Sequence, residues 1–202
     1  MIKVCGMREA DNIREVEALG VDWMGFIFWP KSSRYVSERP AYLPTRCKRV
    51  GVFVNEEIEQ VKRIAADYAL DFIQLHGSES PDYARRLHLV CGDSIAIIKA
   101  FNIATVEDLE TTKAYKGIVD YFLFDTKGKC VGGNGEKFDW SVLADYNGET
   151  PFLLSGGIGP DDAERVKTFH HSLCIGIDLN SRFEVKPGVK DVTALASFLE
   201  EV

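Results

Sequence analysis

Short apolar runs alternate with longer stretches of helical spacing along the whole chain. Ile2-Lys-Val-Cys5 is the first apolar run, and Gly6 stops it. Residues 9–19 place Ile13, Val16 and Leu19 on one face, which predicts a helix ended by Gly20. Residues 23–28 form an unbroken apolar run, as in a parallel strand covered on both faces. A loop over 29–37 and a short helix over 40–46 are expected next, then a strand over 49–54. The helix predicted over 56–68 turns Ile58, Val61, Ile64 and Ala65 inward. Strands follow at 72–75, 94–101, 121–124, 151–154 and 174–177. Between and after them lie expected helices at 81–87, 106–115, 140–145, 161–169 and 191–200. Ser80 and Pro81 suit the N-cap and first position of one of these, and Thr105 and Asp139 precede two others.

Eight strand–helix units in 202 residues predict an α/β protein, a single (β/α)8 TIM barrel over residues 1–202. The rival is an open doubly wound sheet. That fold would need a glycine fingerprint after the first strand, where Gly6 stands alone. No linker, low-complexity tract or repeat divides the chain.

Charge narrows the function. Lys and Arg number 24 against 31 Asp and Glu, a net −7, which argues against a nucleic-acid surface. A local basic pocket for a small anion is compatible with that balance. Cys5, Cys47, Cys91, Cys130 and Cys174 are odd in number and lack CxxC spacing, a reduced intracellular pattern. No secretory leader is expected, and no run reaches the roughly 18 to 20 apolar residues of a membrane span. A cytoplasmic protein without membrane or nucleic-acid partners is therefore expected. Metal binding is not, since no ligand cluster shows in the spacing.

In a barrel of this kind chemistry gathers at the C-terminal ends of the strands. Cys5 ends the first strand, and Asp125 follows the apolar wall of the sixth. Burial there disfavours a carboxylate, which suits Asp125 to donating a proton. Cys5 is either a small buried hydrophobe or a thiolate base that needs a positive field. Arg34, in the loop after the second strand, can clamp a carboxylate with two hydrogen bonds. Gln74 and His76 end the fourth strand and are assigned to substrate binding, Gln74 as a group that orients a hydroxyl. Ser155-Gly156-Gly157 and Asp178-Leu-Asn180-Ser181 end strands seven and eight, the usual phosphate position of the fold. Gly156, Gly157, Asp178, Asn180 and Ser181 are thus expected to bind phosphate. Gly132-Gly-Asn-Gly135 reads as a mobile lid or a plain flexible loop. His170-His171 closes a helix and is given no chemistry.

Together these strand ends resemble the phosphoribosylanthranilate isomerase family of tryptophan biosynthesis. The matching segments are Lys3-Val-Cys-Gly-Met7, Gly25-Phe-Ile-Phe28, Ser32-Ser-Arg-Tyr-Val-Ser37, Val50-Gly-Val-Phe-Val-Asn55 and Ile73-Gln-Leu-His-Gly77. Phe124-Asp-Thr126, Phe138-Asp-Trp140, Leu154-Ser-Gly-Gly-Ile158, Gly176-Ile-Asp-Leu-Asn-Ser181 and Pro187-Gly-Val-Lys-Asp191 continue the series, with Glu184. Ser33 stands where the family often has proline, Asn134 where it has a small hydroxyl residue, and residues 127–131 read as an insertion. The resemblance implies an Amadori rearrangement without metal or organic cofactor. Cys5 would act as general base, Asp125 as general acid and Arg34 as the anthranilate carboxylate clamp. It also implies a monomer or homodimer that meets only its small phosphosugar substrate. A ribulose-phosphate epimerase would need metal-ligand histidines. The aminoaldose isomerase of histidine synthesis would need paired acids and two phosphate cradles. A non-catalytic phosphate-binding barrel would have no use for Cys5, Arg34 and Asp125 together.

Overall fold

A computed structural model describes residues 1–125 and 140–202. Eight parallel strands close into a barrel in chain order. They are β1 (Ile2–Val4), β2 (Trp23–Ile27), β3 (Lys48–Phe53), β4 (Phe72–Leu75), β5 (Ala96–Asn102), β6 (Tyr121–Asp125), β7 (Phe152–Ser155) and β8 (Cys174–Leu179). The ring closes between the first and last strands, with Lys3 beside Asp178 and Val4 beside Leu179. Outside it lie α1 (Ala10–Ala18), α2 (Ile58–Tyr68), α3 (Pro81–Cys91), α4 (Val106–Leu109), α5 (Ala163–Thr168) and α6 (Val192–Glu201).

Side chains alternate across each strand, and so divide the core in two. One set, including Val4, Met24, Phe26, Phe53, Ile73 and Phe124, is buried between sheet and helices. The other, Trp23, Val50, Phe72, Ile98, Ala100, Leu123 and Leu153, is a second, separate buried cluster. These residues pair side by side in the strand register, which puts them on one face, the barrel interior. They form an apolar floor beneath the C-terminal mouth.

Local signals behave largely as their chemistry demands. Ser80 Oγ accepts from Tyr83 N at 3.2 Å, and Pro81 opens α3. Gly20 follows α1 at φ +79°. Several expected helices differ, however. Residues 40–46 form no helix, because their backbone is committed elsewhere. Pro44 has no N–H, and the N–H groups of Thr45 and Arg46 each donate to the buried Glu17 carboxylate at 2.6 Å. Glu17 is held well below its usual range: burial pushes it up, but the Tyr42 hydroxyl and these two N–H groups outweigh that. The helix expected over 106–115 is α-helical only to Leu109 and continues as a 3-10 helix over Glu110–Tyr115. Trp140–Asp145 and Pro160–Asp162 are likewise 3-10 turns, the second leading into α5. A two-stranded hairpin, β9 (Glu184–Lys186) with β10 (Val189–Lys190), follows β8 where no strand is predicted. The Asp139 cap and the Gly132–Gly135 segment lie outside the described residues.

Candidate active site

The C-terminal mouth of the barrel opens into a cavity of about 420 Å³, within the range of small-molecule sites. Cys5 comes to it from just past β1, Gln74 and His76 from β4, Asp125 from β6, and Ser155 to Gly157 from β7. Asn180 and Ser181 join from the end of β8. A larger depression, about 590 Å³, lies at the opposite mouth beside Glu17, Arg46 and Lys48. It gathers none of the residues at the strand C-terminal ends.

Cys5 is 3 % exposed. Burial pushes its thiol above the ordinary value, and the Asp178 carboxylate adds to this. Lys3 and Lys190 pull the other way. Lys3 is wholly buried, and its Nζ donates to Asp178 Oδ1 at 2.7 Å. Burial alone would lower the Lys3 ammonium, but Asp178 and the Cys5 sulfur carry it above its usual value. The lysine beneath the thiol is therefore a fixed positive charge.

Asp178 lines the same cavity, and its carboxylate is engaged within the protein. Lys3 takes one oxygen, and Ser155 Oγ donates to the other at 3.3 Å. The remaining cradle residues do converge. Gly156 and Gly157, at φ +97° and +67°, and Asn180 and Ser181 line the same cavity. Such backbone exposes N–H groups at close range to an anion.

Gln74 is 1 % exposed, and its Nε2 lies 2.9 Å from His76 Nδ1. With the amide donating to Nδ1, the ring proton sits on Nε2, which faces Asp125 Oδ2 at 3.8 Å. Burial lowers His76 below its ordinary value despite Asp125. Gln74 Oε1 is buried without a hydrogen-bond partner among the described residues. An orphaned acceptor at the edge of a cavity fits a hydroxyl donor from a ligand.

Arg34 stands outside the lining of this cavity. Its Nε donates to Glu184 at 2.8 and 2.9 Å and its Nη2 at 2.5 Å. Lys190 Nζ donates to the same carboxylate at 2.7 Å and to Asn180 Oδ1 at 2.8 Å. Two cations thus share one anion. Burial would raise Glu184, but both cations together hold it below its usual range. Lys190 is lowered, because its burial outweighs Glu184. The two partners therefore shift unevenly. The carboxylate, with two donors, is the better compensated of them. Gly6, at φ +78°, passes between these arms. A Cβ there would stand 2.7 Å from Arg34 Cδ and 2.8 Å from Asn180 Oδ1.

The structure places Cys5, Gln74, His76, Asp125, Gly156, Gly157, Asp178, Asn180 and Ser181 around one mouth, as the sequence reading expects of their position, while Arg34 stands outside that lining. The sequence reading misses Lys3 and Lys190 altogether, and Glu184 as the group that aims Arg34. The available signal was Lys3 itself, a charge within a strand read as buried. Such a charge needs a partner across the sheet. Among the described residues no group of three His, Cys, Asp or Glu could hold a metal ion. No described helix is long and apolar enough to cross a membrane.

Comparison with known proteins bears on this arrangement. Residues 2–201 match the family model for N-(5'-phosphoribosyl)anthranilate isomerase. This chain belongs to that family. The family's enzyme from Parabacteroides distasonis is 50 % identical over 208 residues, covering 100 % of this chain and 93 % of that protein. The one from Phocaeicola vulgatus is 49 % identical, covering 100 % and 97 %. The crystal structure of the Thermotoga maritima isomerase superposes with a TM-score of 0.83 at 32 % identity, covering 99 % and 97 %. An isomerase solved in complex with reduced 1-(o-carboxyphenylamino)-1-deoxyribulose 5-phosphate gives 0.81 at 30 %, covering 99 % and 96 %.

Proposed function

We propose that the chain converts N-(5-phosphoribosyl)anthranilate to 1-(2-carboxyphenylamino)-1-deoxyribulose 5-phosphate, a step of tryptophan biosynthesis, by general acid–base catalysis. Family membership supports the reaction, and one observation carries its assignment to these residues. Cys5, Asp125 and the Gly156-Gly157 backbone share a single cavity.

Asp125 gives a proton to the ribose ring oxygen, and the C1–O bond breaks. The anthranilate nitrogen lone pair forms a protonated Schiff base to C1. That cation acidifies the C2 proton. The Cys5 thiolate takes this proton, an S–H bond forms, and the C–H electron pair flows into the iminium to give an enolamine. Tautomerisation then yields the ketone. The iminium is itself the electron sink, so the chemistry calls for neither metal nor organic cofactor. Each proton transfer by a positioned group is worth roughly 10² to 10⁴ in rate.

Binding follows the same charges. The backbone around Gly156, Gly157, Asn180 and Ser181 holds the phosphate. Arg34 holds the anthranilate carboxylate at the other end. Gln74 Oε1 receives a sugar hydroxyl. Held at both ends, the sugar is fixed between base and acid, where positioning contributes several kcal/mol.

The test is fluorimetric, because the anthranilate substrate and the product emit differently. Purified enzyme should convert the signal at full rate in the presence of a chelator. No change of emission with enzyme would leave a non-catalytic phosphate-binding barrel as the better account.

A further inference from the structure

Lys3 is wholly buried, yet the steps above give it nothing to do. Packing does not explain it either. Its neighbour across β2 is Trp23, in the apolar floor, where an aliphatic side chain would fill space without the cost of burying a charge. Alternation along the first strand turns Lys3 and Cys5 to the same side, the barrel interior. Lys3 Nζ is fixed by Asp178 at 2.7 Å, and its charge acts on the Cys5 sulfur. Asp178 is steadied in turn by Ser155 Oγ.

We propose that Lys3 is the positioning residue of the proton abstraction: locked in place by Asp178, its ammonium is the counter-charge against which the Cys5 thiolate forms. The pairing is a property of the free enzyme. Only the identity of the proton removed from substrate rests on the isomerase reading. Four charged groups act on Cys5. Lys3 lies on its own strand, Asp178 on β8, Lys190 on β10 and Arg34 in the loop after β2. Lys190 and Arg34 are both tied to Glu184, whereas Lys3 acts on the sulfur most strongly of the four. Asp178 has two opposed effects. It repels the thiolate, and it anchors the cation that attracts it.

This opposition supplies a test that a merely structural ion pair would not pass. The readout is the rate of iodoacetamide alkylation at the Cys5 peptide as a function of pH, followed by mass spectrometry without substrate. The double variant Lys3→Met/Asp178→Leu removes both charges and leaves neither unpaired. Loss of the Asp178 repulsion offsets part of the lost attraction, so alkylation at pH 7 should slow by about tenfold, the low end of one neighbouring cation's effect on an ionisable group. In the isomerase assay kcat should fall with KM little changed. Asp178→Asn keeps the ammonium and removes the repulsion, so alkylation at pH 7 should become faster. A wild-type alkylation profile in the folded double variant overturns the proposal. If the double variant does not fold, Asp178→Asn decides alone, and an unchanged or slower rate there overturns it. Wild-type enzyme that is inert toward the phosphoribosyl substrate would end the isomerase reading, while the alkylation profiles would still decide the role of Lys3.

Discussion

Removing the Arg34 side chain separates binding from chemistry, and the structure sets the size of the effect. Arg34 and Lys190 are two positive charges facing one carboxylate, Glu184, so the cluster carries a surplus of +1. Nε and Nη2 of Arg34 are spent on Glu184, and the Nη1 edge has no partner among the described residues. A substrate carboxylate on that edge would complete the charge balance. In Arg34→Ala the surplus is gone, and Glu184 remains paired with Lys190 alone. A hydrogen bond to a charged group is worth about 1.5 to 3 kcal/mol. At about 1.36 kcal/mol per tenfold, that corresponds to roughly 10- to 150-fold in KM. The change in kcat should be less than tenfold, because the lost contact is equally present in ground and transition states. Arg34→Lys should recover only part of the loss, since an ammonium keeps the charge but lacks the planar fork that grips Glu184 on one edge and offers a second edge to a carboxylate. Steady-state fluorescence gives KM and kcat, and titration with product gives an independent Kd. A KM within twofold of wild type, or a fall confined to kcat, would refute the carboxylate-clamp reasoning.

Cys5→Ser and Asp125→Asn should each lower kcat by about 10² or more while circular dichroism and thermal melting stay near wild type; full activity in either removes that residue from the mechanism. Gly25→Ala would put a Cβ 2.7 Å from the Cys5 sulfur and 3.1 Å from its Cα, so activity should drop steeply and stability by about 1 to 3 kcal/mol, read by urea melts. Because Glu184 is held below its ordinary value by Arg34 and Lys190, its contribution to stability is complete above the unfolded carboxylate range and lost as pH falls through the lowered folded value. The Tm gap between wild type and Glu184→Gln should therefore be largest near pH 7 and shrink only as pH falls below the unfolded value of about 4.3, and a gap independent of pH would show that the carboxylate charge contributes nothing. Leu123→Ala, in the apolar floor at 0 % exposure, should cost about 2 to 5 kcal/mol by chemical denaturation while the catalytic rim keeps its geometry.

The barrel was legible in the sequence because its strands are short apolar runs that must be covered on both faces, and their order leaves few ways to close. The strand C-terminal ends were legible for the same reason: once Cys5, His76, Asp125 and Gly156 each end a strand, the fold brings them to one mouth. The weak helices were not. Residues 40–46 have helical spacing, but Glu17, far away in sequence, takes the Thr45 and Arg46 N–H groups that a helix would have used. The partner of Asp178 was not legible, because a polar strand end reads the same whether it faces a ligand or a lysine. Its register with Lys3 exists only once the ring is shut. Glu184, similarly, aims Arg34 from 150 residues away, and spacing along the chain carries no trace of that contact.

The seam between the first and last strands carries a consequence for how the site can fail. The sulfur and its lysine belong to the first strand, whereas the aspartate belongs to the last strand and the glutamate and second lysine to the hairpin beyond it. The charges around the thiol therefore exist together only while that seam is closed. A lesion that opens it disarms the protein without touching the residues that react.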